Sequence, residues 1–193
     1  MKKILFLSIF VFSAAFLFAH NPAELVHGVN PEKSSIDWVG KKVTGKHTGT
    51  INIKSGELKH EDGRLSGGNF VIDMPSITVT DLEGGMKGKL EGHLKSPDFF
   101  DVANFTTAEF VITEVKGGGE AGKYNVTGDL TIKGKTHPVS FTASTNEDGS
   151  FGADITVDRT LYDVRYGSGK FFDGLGDKMI YDDFELSVNL VVE

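Results

Sequence analysis

His47, in the stretch GKHTG, and His93, five residues before Asp98, are the side chains here best suited to moving protons, because imidazole alone titrates near neutrality without help. His47 offers its ring either to the polar head group of a ligand or to backbone in a turn. His93 is placed to pair with Asp98, which would perturb its pKa and set a local hydrogen bond. Asp158 and Arg159 form an adjacent acid–base pair at the end of an apolar run. The Arg159 guanidinium either reaches a polar head group or pins the connection that follows. Tyr162, Arg165 and Tyr166 share that ambiguity. Of the other histidines, His20 and His27 fall in an N-terminal tail, while His60 and His137 read as turn residues. No pair has metal-ligand spacing, so no metal is expected.

Other chemistries are excluded by residue type. Cysteine is absent, and no Gly-x-Ser-x-Gly elbow occurs. GSGK at 167–170 fails as a phosphate loop, since Phe171 stands where Ser or Thr is required and Val164 where the first glycine belongs. GGMKG at 84–88 has no preceding βαβ context. Asp182 and Asp183 beside Phe184 read as solubilising charges on an exposed edge. No catalytic residue is assigned.

The elements that position these residues are strands. From Ser34 onward apolar and polar residues alternate, the pattern of antiparallel strands with one buried face. The inward sets are Ile36 and Trp38; Ile51 and Ile53; Phe70, Ile72 and Met74; Phe110 and Ile112. They continue with Tyr124, Val126, Leu130 and Ile132 around Gly128; Val139, Phe141 and Ala143; Phe151, Ala153, Ile155 and Val157. The last set is Ile180, Phe184, Leu186, Val188, Leu190 and Val192. HEDGRLSGG, KGGGEAGK, IKGKTH and NEDGS supply tight turns, which implies sequential up-and-down strands.

Two segments break the rhythm, and both carry a Phe-Phe pair. DLEGGMKGKLEGHLKSPDFFDVANF admits a short helix from about Lys87 to Leu94, stopped by Pro97. DRTLYDVRYGSGKFFDGLGDK is a long glycine-bearing connection. Either pair, Phe99 with Phe100 or Phe171 with Phe172, closes or lines one end of an apolar interior, or else packs its insertion onto the wall.

Lys2 and Lys3 precede an apolar run, Ile4 to Phe18, that ends at Ala19; this is the pattern of a signal peptide over 1–19, with Ala14 or Ala15 as alternative cleavage points. A tail over 20–33 and one domain over 34–193 follow, with no linker to a second domain. The apolar run is short of the ~20 residues needed to span a bilayer. Stable membrane insertion is therefore not expected, and the mature protein should be periplasmic or secreted. The whole chain has 20 basic and 27 acidic residues, a net charge of −7, and loss of Lys2 and Lys3 makes it more negative. Nucleic acid is excluded as a partner.

About eight such strands allow a sandwich or a closed barrel, and a barrel of that size either fills with side chains or holds one ligand. Gly128, Ala143 and Ala153 among the inward residues favour underfilled layers. At ~0.8 kcal/mol per buried methylene, a few isoprene units or an equivalent acyl chain reach micromolar affinity after association costs.

Five stretches, in order, resemble the YceI-like lipid- and polyisoprenoid-binding proteins: SIDWVGKKVTGKHTG, GGNFVIDMPSI, HLKSPDFFD followed by AEF, VTGDLTIKGKTHPV, and VDRT. The resemblance spans Ser34 to Glu193, and it departs at NFTTA, where Thr106 replaces a proline common in the family. It implies an all-β fold, an antiparallel lipocalin-like barrel of about eight strands with a short helical insertion, enclosing an isoprenoid, quinone or related lipid and needing no other cofactor. It implies carriage, with Trp38, Phe70, Ile72, Phe99, Phe100, Phe110, Ile112, Val126, Leu130, Phe141, Ile155, Phe184 and Leu186 against the lipid. His47, His93 and Arg159 are the head-group candidates. Two alternatives stay open: a secreted lipid- or quinone-dependent enzyme, which requires His47, His93 and Asp98 to converge, and a filled β-domain that binds protein. Association into a homodimer is also open.

Overall fold

A computed structural model describes residues 24–117 and 119–193. The leader over 1–19 and His20 lie outside the described residues. The alternating runs form antiparallel strands β1 (Glu24–Gly28), β2 (Ser35–Lys42), β3 (Gly45–Glu61), β4 (Arg64–Val79), β5 (Thr107–Gly117), β6 (Lys123–Ile132), β7 (Lys135–Thr145), β8 (Phe151–Asp158) and β9 (Ile180–Leu190). Strands β2 to β9 pair each with the next, and β9 pairs back onto β2, so eight of them close an up-and-down barrel. Closure removes the sheet edges that would otherwise need protection.

Strand β1 corrects the expectation of a tail over 20–33. β2 pairs with β3 only from Gly45 to Ile51, which leaves the far half of the 17-residue β3 with an open edge. ELVHG fills it, from Glu24 opposite Glu61 to Gly28 opposite Glu57. The chain's end is drawn in as well: Val29 bridges to Val192, the Asn30 N–H donates to the Val191 carbonyl (2.8 Å), and the Glu193 N–H donates to Gly28 (2.8 Å). Between β3 and β4, Asp62 and Gly63 both take positive φ (49° and 76°), as do Lys133 and Gly134 between β6 and β7 (50° and 68°). These two-residue turns match the twist of the strands they join.

The helix α1 (Gly84–Lys95) ends where Pro97 requires, with Ser96 already extended, but it starts three residues before the expected Lys87. Gly84 and Gly85 have poor helix propensity, so the helix is held by docking. The Glu91 carboxylate accepts the Thr78 hydroxyl (2.6 Å) and the Val79 N–H (2.9 Å) at the end of β4, and Leu94 is buried beneath. Those two bonds hold the Glu91 pKa below the ordinary carboxylate value. Among the described residues no helix is long and apolar enough to cross a membrane.

An apolar bore and its lid

The inward faces enclose a cavity of about 220 Å³ that runs from Leu58 and Leu65 near one rim to Leu94, Phe99 and Phe100 near the other. Tyr124 and Val192 of the inward sets do not border it, whereas every residue that the resemblance sets against the lipid does: Trp38 on β2, Phe70 and Ile72 on β4, Phe110 and Ile112 on β5, Val126 and Leu130 on β6. Phe141 on β7, Ile155 on β8, and Phe184 and Leu186 on β9 complete the set with Phe99 and Phe100. The bore is larger than the ~150 Å³ engineered cavity that stays dry and binds benzene. It is smaller than a tunnel of several hundred Å³, and it is not plugged.

Glycine keeps it open. A Cβ on Gly49 would lie 2.4 Å from the Trp38 ring, one on Gly56 2.7 Å from Phe70, and one on Gly128 2.4 Å from Phe110. Each ring therefore occupies space that a side chain on the neighbouring strand would otherwise take. Ala143 and Ala153, directly paired across β7 and β8, thin the wall in the same way.

The SPDFFD sequence builds the lid from backbone. After the helix, the Phe99 N–H donates to Ser96 (3.0 Å), Phe100 to Leu94 (3.1 Å) and Val102 to Lys95 (3.0 Å), so the last carbonyls of α1 are satisfied by the loop itself. This turn drives both rings down into the barrel, where Phe99 is 7% and Phe100 9% exposed. They meet edge to face at 5.0 Å, and Phe100 meets Phe184 at 6.5 Å.

Arg159 opens a single-turn 3₁₀ segment (Arg159–Tyr162) after β8 and is 2% exposed. Its Nε donates to the Tyr181 carbonyl (3.1 Å), one terminal nitrogen to Val164 (2.7 Å) and the other to Ile180 (3.1 Å). The guanidinium pins the long connection back to β9. Its nearest acid is Asp182 at 3.8 Å, not Asp158 as the sequence implies. Burial lowers its pKa, against the pull of Asp182 and Asp158. Arg159 also borders the cavity and lies 5.6 Å over the Phe99 ring, so it braces the lid. Asp158 instead caps the 3₁₀ turn through the Thr160 N–H (2.9 Å) and takes Lys170 (2.8 Å); burial pushes its carboxyl up, and these partners bring it below the usual range. The Tyr162 hydroxyl, buried without a hydrogen-bond partner, has its pKa pushed up to about 12 by burial and by Asp158.

The candidate acid–base group does not assemble. His47 Nδ1 lies 2.8 Å from Asp81, which also accepts the Thr48 N–H (2.9 Å), and His47 is not on the cavity wall. His93 packs between Tyr166 (4.4 Å) and Phe99 (5.4 Å), with its Nε2 buried and unbonded, while Asp98 points to solvent. Among the described residues no three histidine or acidic side chains are grouped to hold a metal ion. Three local expectations need correction. His27, His60 and His137 sit in strands, not in a tail or turns. Phe171 and Phe172 are 44% and 49% exposed, so this pair neither lines nor packs the interior; Phe171 is covered on one face by Arg165 at 4.8 Å. Asp182 and Asp183 are not on an edge, because β9 is paired on both sides, and Asp182 faces Arg159 and Lys170.

The sequence reading missed Leu58, Leu65 and Ile77 on the cavity wall, and Lys41, Tyr181 and Asp183 at its margin. The β3–β4 register shifts between Thr50 and Asn52, Ile53 and Ser55, and Lys59 and His60, so strict alternation from Ile53 or Met74 points to the wrong face beyond each bulge.

A family described as YceI-like domain matches residues 28–192. A UPF0312 protein of Vibrio vulnificus is 31% identical over 129 residues, 65% of each chain, so the aligned part spans just under two thirds of that relative's length. The crystal structure of Burkholderia cenocepacia BcnA superposes with a TM-score of 0.67 at 25% identity, covering 84% of this chain and 98% of that one. A polyisoprenoid binding domain from Saccharophagus degradans has the same fold, with a TM-score of 0.62 at 15% identity over 86% of this chain and 97% of that one.

Proposed function

The chain belongs to the YceI-like family, and from that premise we propose that it is an exported carrier or binding protein for a long apolar molecule, an isoprenoid, quinone or related lipid. The observation that carries the reading is the bore: a barrel wall around about 220 Å³, bordered along its length by apolar side chains. Such a site captures a chain by removing its surface from water and needs no reacting group. The polyisoprenoid binding described for the Saccharophagus degradans domain of the same fold supports the same ligand class. Export rests on Lys2, Lys3 and the apolar run to Phe18 before Ala19. The separation of His47, His93 and Asp98 gives no support to the enzyme alternative, and the cavity gives none to a filled core.

The test is native mass spectrometry of the full chain expressed with its leader and purified without harsh detergent, followed by organic extraction. A hydrophobic compound at near-stoichiometric yield, on a protein shortened at or near Ala19, is expected. Recovery of no such compound overturns carriage, and retention of the chain in the cytoplasmic fraction with its N-terminus intact overturns export.

A further inference from the structure

We infer that the bound molecule's polar head leaves the bore sideways, between β2 and β9, and that this mouth accepts an uncharged hydrogen-bonding head such as an alcohol, amide or ketone; the inference rests on the carrier reading above. The cavity wall is apolar except at one place. The polar or ionisable residues that border it, among the described residues, are Lys41, Arg159, Tyr181 and Asp183, and all four gather where β2 meets β9 beneath the lid. The opposite end is bordered by the buried Leu58, Leu65, Val126 and Ala143. A molecule with one polar end has one low-energy orientation in such a bore.

The wall is broken at that place. Gly40 stands opposite Phe184, but Lys42 stands opposite Ile180, so three residues of β9, Tyr181 to Asp183, bulge against the single Lys41. Tyr181 is 47% exposed and the Lys41 side chain 43% exposed, yet both border the cavity. Residues that face solvent and bore together mark an opening, and bulges commonly re-aim side chains at such sites. Along the axis the way out is shut by buried Leu94, Phe99 and Phe100. At the mouth itself a Cβ on Gly40 would meet nothing within 4 Å.

Charge selects the head. Arg159 spends its donors on three backbone carbonyls and faces Asp182, and Lys41 is paired with Glu185. Around the opening Lys41, Lys42, Arg159 and Lys170 are balanced by Asp158, Asp182, Asp183 and Glu185, so it carries no excess of positive charge to hold a phosphate. Hydroxyls, amides and carbonyls instead find the backbone of Tyr181 to Asp183, where its pairing with β2 is interrupted.

Trp38 is the chain's single tryptophan, borders the cavity, and lies two residues from Gly40 on the same strand face, so it reports directly on what sits behind the mouth. The delipidated full-length mature protein is titrated with stearamide carrying a nitroxide either beside the head or at the chain terminus. Stronger quenching of Trp38 by the head-proximal label at matched occupancy is expected. Equal or stronger quenching by the terminal label overturns the orientation while leaving carriage intact. No quenching and no displaceable binding of either probe overturns the carrier reading and this inference with it. Gly40→Leu sets a side chain at the mouth, where its Cβ meets nothing within 4 Å, and should slow probe exchange about tenfold at an unchanged melting temperature; an unchanged exchange rate places the mouth elsewhere. Hexadecanol should bind at least about tenfold more tightly than hexadecyl phosphate, and the reverse order overturns the head-group assignment.

Discussion

At the scale of single residues, Arg159 shows why a charge is tolerated inside an oil-lined barrel. Its three donated bonds satisfy the carbonyls of Val164, Ile180 and Tyr181, where the long connection joins β9. Lysine keeps the charge but cannot reach three directions from a planar fork. Arg159→Lys should therefore cost about 3 kcal/mol, as expected when a buried charge network is broken, read from urea denaturation at neutral pH. A loss within experimental error would mean that the connection holds itself in place. His60 is the second test at this scale. It follows Leu58 on the inner face of β3, touches the His27 ring at 5.3 Å and Phe151 at 6.1 Å, and has its Nδ1 buried without a partner. Burial, then the nearby His27, lowers its pKa below the ordinary value. The sign follows: as pH falls through about 6.5 the unfolded chain takes up the proton first, so stability declines from there until the folded state is protonated too. His60→Gln should flatten this part of the stability–pH curve between pH of about 7.5 and 5.5, measured by denaturation midpoints. An unchanged slope would assign the effect to other groups.

At the scale of elements, the barrel is held unevenly. β6 and β7 pair along ten positions, from Lys123–Ser144 to Ile132–Lys135, whereas β7 and β8 pair only at Ala143–Ala153, Ser144–Gly152 and Thr145–Phe151. Toward the lid this seam has no ladder and is closed by Tyr162 packed edge-on against His137 (5.4 Å). Amides of Asp154 to Asp158 that face β7 should exchange with deuterium faster than the same strand's amides that face β9, resolved by NMR. Uniform protection across β8 would show that the seam is as tight as its neighbours. This weak seam also offers the slack a chain longer than the 220 Å³ cavity needs. Strands with unbroken alternation, such as Val126 to Ile132 and Phe184 to Leu190, were legible in sequence because side-chain period and pleat coincide. Leu58 and Leu65 were not, because an extra residue in β3 at Lys54 and one in β4 at Ser66 reverse the parity without leaving a compositional mark. The lid was half legible: Pro97 marks the helix end, but the Glu91 anchor to Thr78 and Val79 depends on a contact between elements that no local pattern records.

At the scale of the whole molecule, one cavity and one core are the same object. Cysteine is absent, so no disulfide shares the load, and most of the apolar residues that stabilise the fold also border the bore. Ligand binding and folding are then coupled directly. A lipid present at about 100 times its dissociation constant should add about 2.7 kcal/mol, which for a chain of this length raises Tm by roughly 5–11 °C. Scanning calorimetry of loaded against delipidated protein checks this, and identical melting would separate occupancy from the core. The two ends of the described chain offer a last consequence. With Gly28 and Glu193, Val29 and Val192, and Asn30 and Val191 fastened together at one rim, the barrel is close to being a loop of polypeptide without ends. A short peptide could splice Glu193 to the start of β1, and cutting the resulting circle at the Lys133–Gly134 turn would relocate both termini beside the lid with every stave of the cask still in place.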